Sequence, residues 1–109
     1  MNRSRAYSPV TKEAVRLLGN RVRLARRERK WTVRQLADRV GVSPPTMQKV
    51  EQGDLTVALG TAFEAAAVLG VVLFHDDPVR RSIEAGRVAD RLAVLPQIVR
   101  APADIDDDF

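Results

Sequence analysis

The chain contains no cysteine and a single histidine, His75. Disulfides, thiolate catalysis, iron–sulfur clusters and cysteine-type zinc sites are thereby excluded, and a protein-held transition metal has almost no ligands to draw on. Aromatic residues make up 5% of the chain, too few to line an aromatic pocket or to build a base-stacking platform. Long hydrophobic runs are missing as well. The longest stretch of apolar residues and glycine, residues 65–74, is ten residues, half of the roughly 20 that a membrane-crossing helix needs. Residues 1–9 carry Arg3 and Arg5 without an apolar stretch behind them, so no secretory signal is read and a cytoplasmic location is expected. The 109 residues accommodate one domain, which leaves out an enzyme with separate cofactor and substrate domains. No nucleophile–base pair, carboxylate cluster, phosphate loop or metal-ligand spacing occurs, so neither catalysis nor a cofactor is expected.

What is present is charge, unevenly placed. Apolar residues at 45% and charged residues at 29% describe a chain that folds around a small core, and the formal net charge is +4. That total conceals two halves. Residues 1–53 carry 13 Lys/Arg against 4 Asp/Glu, a balance of +9, whereas residues 54–109 carry 5 against 10, a balance of −5. A basic half joined to an acidic half points to a polyanion-facing surface and a second region with different work. The acidic bias is sharpest at the end, with four aspartates in residues 104–109. That tail reads first as chain without fixed structure in the free protein, and otherwise as a solubilising end, a partner-binding segment, or an internal mimic of phosphates shielding the basic face.

Every strong pattern is helical. Ala14, Leu18, Val22 and Ala25 recur at spacings of four, four and three, one stripe of an amphipathic helix over roughly residues 9–28. Arg16, Arg21, Arg23, Arg26, Arg27, Arg29 and Lys30 crowd its other faces and its C-terminal end. Thr32 followed by Gln35 makes a capping box, and Trp31 before it can staple onto Leu36, so a second helix starts there and Gly41 ends it. Ser43 caps a third helix with Pro44 at its first position, Val42 and Met47 repeat the staple, and Gly53 closes it. Leu59, Ala62, Phe63, Ala66 and Leu69 predict a fourth helix reaching Gly70. A fifth starts at Asp77 and Pro78 and runs to about Leu95. Its apolar residues lie on two sides, Val79 and Ile83 on one and Val88, Leu92 and Leu95 on the other. Either the helix touches two surfaces, or it kinks at Gly86.

Two short capped helices around a three-residue turn containing glycine are the sequence form of a helix-turn-helix, whose second helix is presented outward. The residues Leu36 and Ala37, Gly41, Val42 and Ser43, Thr46 and Met47, Val50 and Glu51, and Gly53 resemble the Cro/repressor-like, or Xre, helix-turn-helix family over about residues 18–74. Residues 53–61 and 71–74, with the closing residues 106–109, resemble a narrower group, the HipB-type regulators, which are usually antitoxins encoded beside HipA-like kinase toxins. The resemblance implies an all-α, compact five-helix Cro/repressor-like DNA-binding domain with a C-terminal association helix and an acidic tail. The expected divisions are a basic arm at 1–8, the DNA-binding domain at 9–75, a dimer or partner helix at 76–95 and the tail at 96–109.

Function follows from the same resemblance: a transcriptional regulator, expected to repress, that lays its third helix in the major groove of double-stranded DNA as a homodimer. A HipA-like toxin is the further expected partner. Base contacts are expected from Ser43, Pro44, Pro45, Thr46, Gln48 and Lys49, with Lys49 suited to guanine and Gln48 to adenine. Phosphate contacts are expected from Arg21, Arg23, Thr32, Arg34, Arg39, Gln52 and Thr56. Arg26 and Glu51 are expected to pair structurally. Two departures stand out. Val33 replaces the family's common phosphate-anchoring Gln, and Pro44 with Pro45 removes two backbone donors at the helix tip. The arm with Arg3 and Arg5 reads as minor-groove contact or as chain without fixed structure. His75, beside Asp76 and Asp77, reads as part of a helix-capping turn rather than as a catalytic group.

Overall fold

A computed structural model describes residues 6–74 and 76–97. Five helices and no strand occur among them: α1 (Pro9–Glu28), α2 (Val33–Val40), α3 (Pro44–Gln52), α4 (Leu59–Val68) and α5 (Pro78–Val94). The protein is all-α, as its periodicities predict. It divides into two compact units, the first ending at Leu73 and the second beginning at Phe74.

Local chemistry sets most of the helix ends. Ser8 accepts from the Thr11 N–H at 3.2 Å, with Pro9 at the first helical position of α1. At the other end the Trp31 N–H reaches the Arg26 carbonyl at 3.1 Å and the Lys30 N–H reaches Arg27 at 2.9 Å, a Schellman closure. Lys30 takes the left-handed position there, at φ 62°, where a side chain costs roughly 1–2 kcal/mol. The capping box of α2 forms in both directions: Gln35 N–H donates to Thr32 Oγ1 at 3.0 Å, and Thr32 N–H donates to Gln35 Oε1 at 2.8 Å. Ser43 caps α3 through the Thr46 N–H at 3.3 Å.

The core of the first unit is Val22, Leu36, Ala37, Met47, Val50, Ala65, Ala66 and Leu69. Full burial of Val22, Leu36 and Met47 stabilises by about 1.5–3 kcal/mol each. Helices α1 and α2 each pack against both α3 and α4. The crossing of α1 and α3 is tight at Gly19, where a Cβ would lie 2.6 Å from the Val50 carbonyl oxygen and 2.8 Å from that of Glu51. Arg29 of the α1 end donates to the Leu69 carbonyl at 2.7 Å, satisfying the end of α4.

Three details differ from the periodic reading. Ala14 is exposed, and Val15 and Gly19 turn inward instead, because α1 meets the end of α3 from Arg16 onward. Leu59 is 69% exposed, since as the first residue of α4 it lines an open cleft with Val15, Leu18, Leu55 and Val57; Ala65 takes the buried place. Helix α4 stops at Val68, with Leu69 as its cap and Gly70 left-handed. In the second unit α5 runs unbroken through Gly86, and none of its residues is buried.

Candidate nucleic-acid interface

The outward edge of α3 is set by what its inward edge must do. Met47, Val50 and Glu51 point into the fold, so the remaining positions of two and a half turns face out. Pro45, Gln48, Lys49 and Gln52 are exposed, and Pro44 and Thr46 are half-buried. Ser43 and Thr46 are joined to each other, the Ser43 hydroxyl donating to Thr46 Oγ1 at 3.0 Å while capping the helix. The Ser43 hydroxyl hydrogen is thereby engaged, whereas Thr46 keeps its own for an acceptor. Gln48 and Lys49 extend polar side chains outward from a rigid helix, Lys49 with the Asp54 carboxylate near it.

Glu51 anchors this edge to α1. Arg26 meets it through two parallel bonds, Nε to Oε2 at 2.6 Å and Nη2 to Oε1 at 3.0 Å, and gives its third arm to the Trp31 carbonyl at 2.8 Å. The hydrogen bond to Glu51 holds the Arg26 guanidinium above its ordinary pKa; burial opposes this and the Glu51 charge adds to it. The side chains of Arg26 and Glu51 keep 10% and 3% of their exposure, so this pair is scaffold. Arg23 leans on the same carboxylate, with Nε at 3.6 Å from Oε1 and Nη2 at 3.4 Å from the Glu51 carbonyl. It remains partly open to solvent.

An open cleft of about 250 Å³ lies between α1, the start of α2 and α3, lined by Arg23, Arg26, Arg27, Val33, Gln48, Glu51 and Gln52. It brings together Arg23, Gln48 and Gln52 and adds Arg27, which the sequence reading did not single out although it stands four residues after Arg23 on the same face. Val33 forms part of its wall and contributes no donor there. Thr32 accepts the capping bond and keeps its hydroxyl hydrogen for an acceptor.

Other expected site residues stand apart from this cleft. Arg21 and Arg34 are exposed. Arg39 lies over the Trp31 ring, 4.2 Å from its centre, with Arg29 at 5.3 Å. Trp31 thus carries a cation on its face as well as packing against the core. Thr56 is engaged by Asp54, which accepts from its hydroxyl at 2.6 Å and its N–H at 2.8 Å. Those two bonds, with the Lys49 charge adding to them, hold the Asp54 carboxyl below the ordinary range. Asp54 and Lys49 are electrostatically linked at the edge of α3. Arg3, Arg5, His75 and residues 98–109 lie outside the described residues. Among those described, no group of three or more His, Cys, Asp or Glu is placed to hold a metal ion, and no helix is long and apolar enough to cross a membrane.

Two short capped helices, a glycine turn and an outward polar helix beside a cationic cleft define a helix-turn-helix DNA-binding module. The family comparison agrees: the helix-turn-helix domain model matches residues 17–73, more than half of the chain, and the chain belongs to that family. The match takes in α2 to α4 and most of α1, and it leaves α5 outside. No curated protein and no solved structure matches the chain.

Proposed function

We propose that the protein is a sequence-specific transcriptional regulator, acting as a repressor, that inserts α3 into the major groove of double-stranded DNA. The observation that carries this reading is the exposed row Pro45, Gln48, Lys49 and Gln52 on a rigid helix beside the Arg23 and Arg27 cleft. Bases are read by Gln48 and Lys49, with Pro44 and Pro45 offering apolar contact and Ser43 and Thr46 lining the tip. Phosphates are held by Arg21, Arg23, Thr32, Arg34, Arg39 and Gln52, and by Thr56 when a phosphate competes with Asp54. Residues 9–75 form the DNA-binding part and residues 76–95 the association part. The regulator binds as a homodimer, because one small module offers little surface for tight specific binding. Two copies place their α3 helices in half-sites about 34 Å, or a multiple of that, apart.

The test is binding to a duplex carrying the region upstream of the protein's own gene. Four arginine contacts in each half of a dimer give a log–log salt slope of about −7. Lys49→Ala weakens the specific site by about 1–3 kcal/mol while sparing random DNA. Equal loss on both duplexes refutes base reading by Lys49.

A second reading draws on the exposed apolar residues of α5. In it the chain is a HipB-type antitoxin of the Xre family that clamps a HipA-like kinase toxin through its C-terminal half and autoregulates the shared operon. Co-purification of the untagged neighbouring gene product, lost on deleting residues 96–109 while DNA binding persists, supports it. Absence of any co-purifying protein refutes it.

A further inference from the structure

The second unit displays apolar side chains that nothing in it covers. Val79, Ile83, Val88, Leu92 and Leu95 are 48–66% exposed. Beside the first turns of α5 lies a groove of about 440 Å³ lined by Phe74, Arg81, Glu84 and Ala85. It combines the apolar side chains of Phe74 and Ala85 with the cation of Arg81 and the carboxylate of Glu84. Glu84 has a loose neighbour in Arg87 at 3.9 Å, both side chains being more than half exposed, and such a pair holds little.

We propose that α5 pairs antiparallel with α5 of a second copy of this chain, each copy placing Leu92 in the groove beside Phe74 of the other. This deepens the homodimer proposed above and rests on it. Arg81, Ala85, Val88 and Leu92 recur at spacings of four, three and four, which is the seam spacing of paired helices. The opposite stripe, Val79, Ile83, Gly86, Asp90 and Ala93, carries a carboxylate at its fourth position and makes the poorer seam. Glu84 and Arg91 each stand one residue before a seam position, on the same flank.

Direction follows from charge. A parallel pair sets Arg81 against Arg81 in the seam and leaves Glu84 and Arg91 facing Ala89 and Pro96. An antiparallel pair with Ala85 opposite Val88 brings Leu92 level with Arg81, at the groove. It also brings Glu84 within two residues of Arg91 of the other copy, and two-fold symmetry makes that match twice. Leucine with an arginine before it thus meets the apolar side chains of Phe74 and Ala85, with the carboxylate of Glu84 on the flank that Arg91 shares and Arg81 in the seam. The seam is only a few layers long, so pairing is weak for free protein, and DNA strengthens it by holding two copies together.

The absence of cysteine makes a clean test. Full-length Arg81→Cys and Leu92→Cys proteins, mixed and oxidised on operator DNA, cross-link with each other, and neither cross-links when alone. In sedimentation without DNA, Glu84→Arg or Arg91→Glu weakens self-association by about three- to tenfold, and the double charge swap restores it. Each cysteine variant cross-linking to itself, or a double swap no better than the single changes, overturns the antiparallel seam while leaving the dimer intact. Unaltered self-association of Leu92→Asp also overturns it. A wild-type chain monomeric with and without DNA overturns the dimer itself.

Discussion

Replacing Gly19 by alanine pits helix propensity against packing. In the interior of α1 alanine is favoured over glycine by about 1 kcal/mol. Here the added Cβ would sit 2.6 Å from the Val50 carbonyl oxygen and 2.8 Å from that of Glu51. Ordinary contact begins near 3.4 Å, so α1 and the last turn of α3 must part by most of an ångström. Both obstructing atoms are backbone, and no side chain can swing aside. Overpacking of this kind costs about 1–3 kcal/mol, and a backbone obstruction belongs at the upper end. The net loss is about 1–2 kcal/mol, which lowers the Tm of a domain this size by roughly 5–15 °C. Thermal unfolding followed by circular dichroism measures it. Gly86→Ala provides the contrast, because nothing lies within 4 Å of that Cβ; it raises the helical signal and lowers no Tm. Gly19→Ala melting at or above wild type would refute the close crossing of α1 and α3.

Two further predictions concern the charges around α3. Glu51→Leu leaves the Arg26 guanidinium buried without its carboxylate and costs about 3–5 kcal/mol, whereas Arg26→Met with Glu51→Leu recovers most of that loss; urea denaturation of both variants decides, and equal losses refute a closed pair. The Asp54 carboxyl titrates below the ordinary value near about 3.9, because Thr56 donates to it twice. Its depressed pKa means that its stabilising contribution is present above that unfolded value and is lost as pH falls through the lower, folded one. Thr56→Val returns the NMR titration midpoint of Asp54 toward the ordinary range, and an unchanged midpoint refutes the bond as its cause.

Sequence reading succeeded where a feature is made by neighbours in the chain. Thr32 with Gln35, Ser43 with Pro44, and the glycines at 41 and 53 place four helix ends because each acts within one turn. The Arg26 and Glu51 pair, 25 residues apart, was reached through family resemblance, and the structure closes it with two bonds. Helix α4 starts without a side-chain cap at Ala58, and there the periodic stripe assigned Leu59 to the wrong environment. Gly19, the Arg29 bond to the Leu69 carbonyl and the stacking of Arg39 on Trp31 escaped notice. The first two depend on which helix lies opposite, which no spacing within one helix records, and the third on how Trp31 folds back along α2. The candidate interface was legible as an α3 edge, because the inward positions could be counted. Arg27 was passed over among many arginines, although its place one turn after Arg23 was available.

The burial of the Arg26 and Glu51 pair also bears on how DNA binding is measured. Added salt acts on charges in contact with solvent and barely reaches a pair whose side chains keep 10% and 3% of their exposure. Ionic strength can therefore be varied widely without loosening the joint that sets the angle of α3. A salt titration of this protein leaves that joint intact, and its slope reports the charges open to solvent: the phosphate contacts and, in the proposed dimer, the Glu84 and Arg91 pairs.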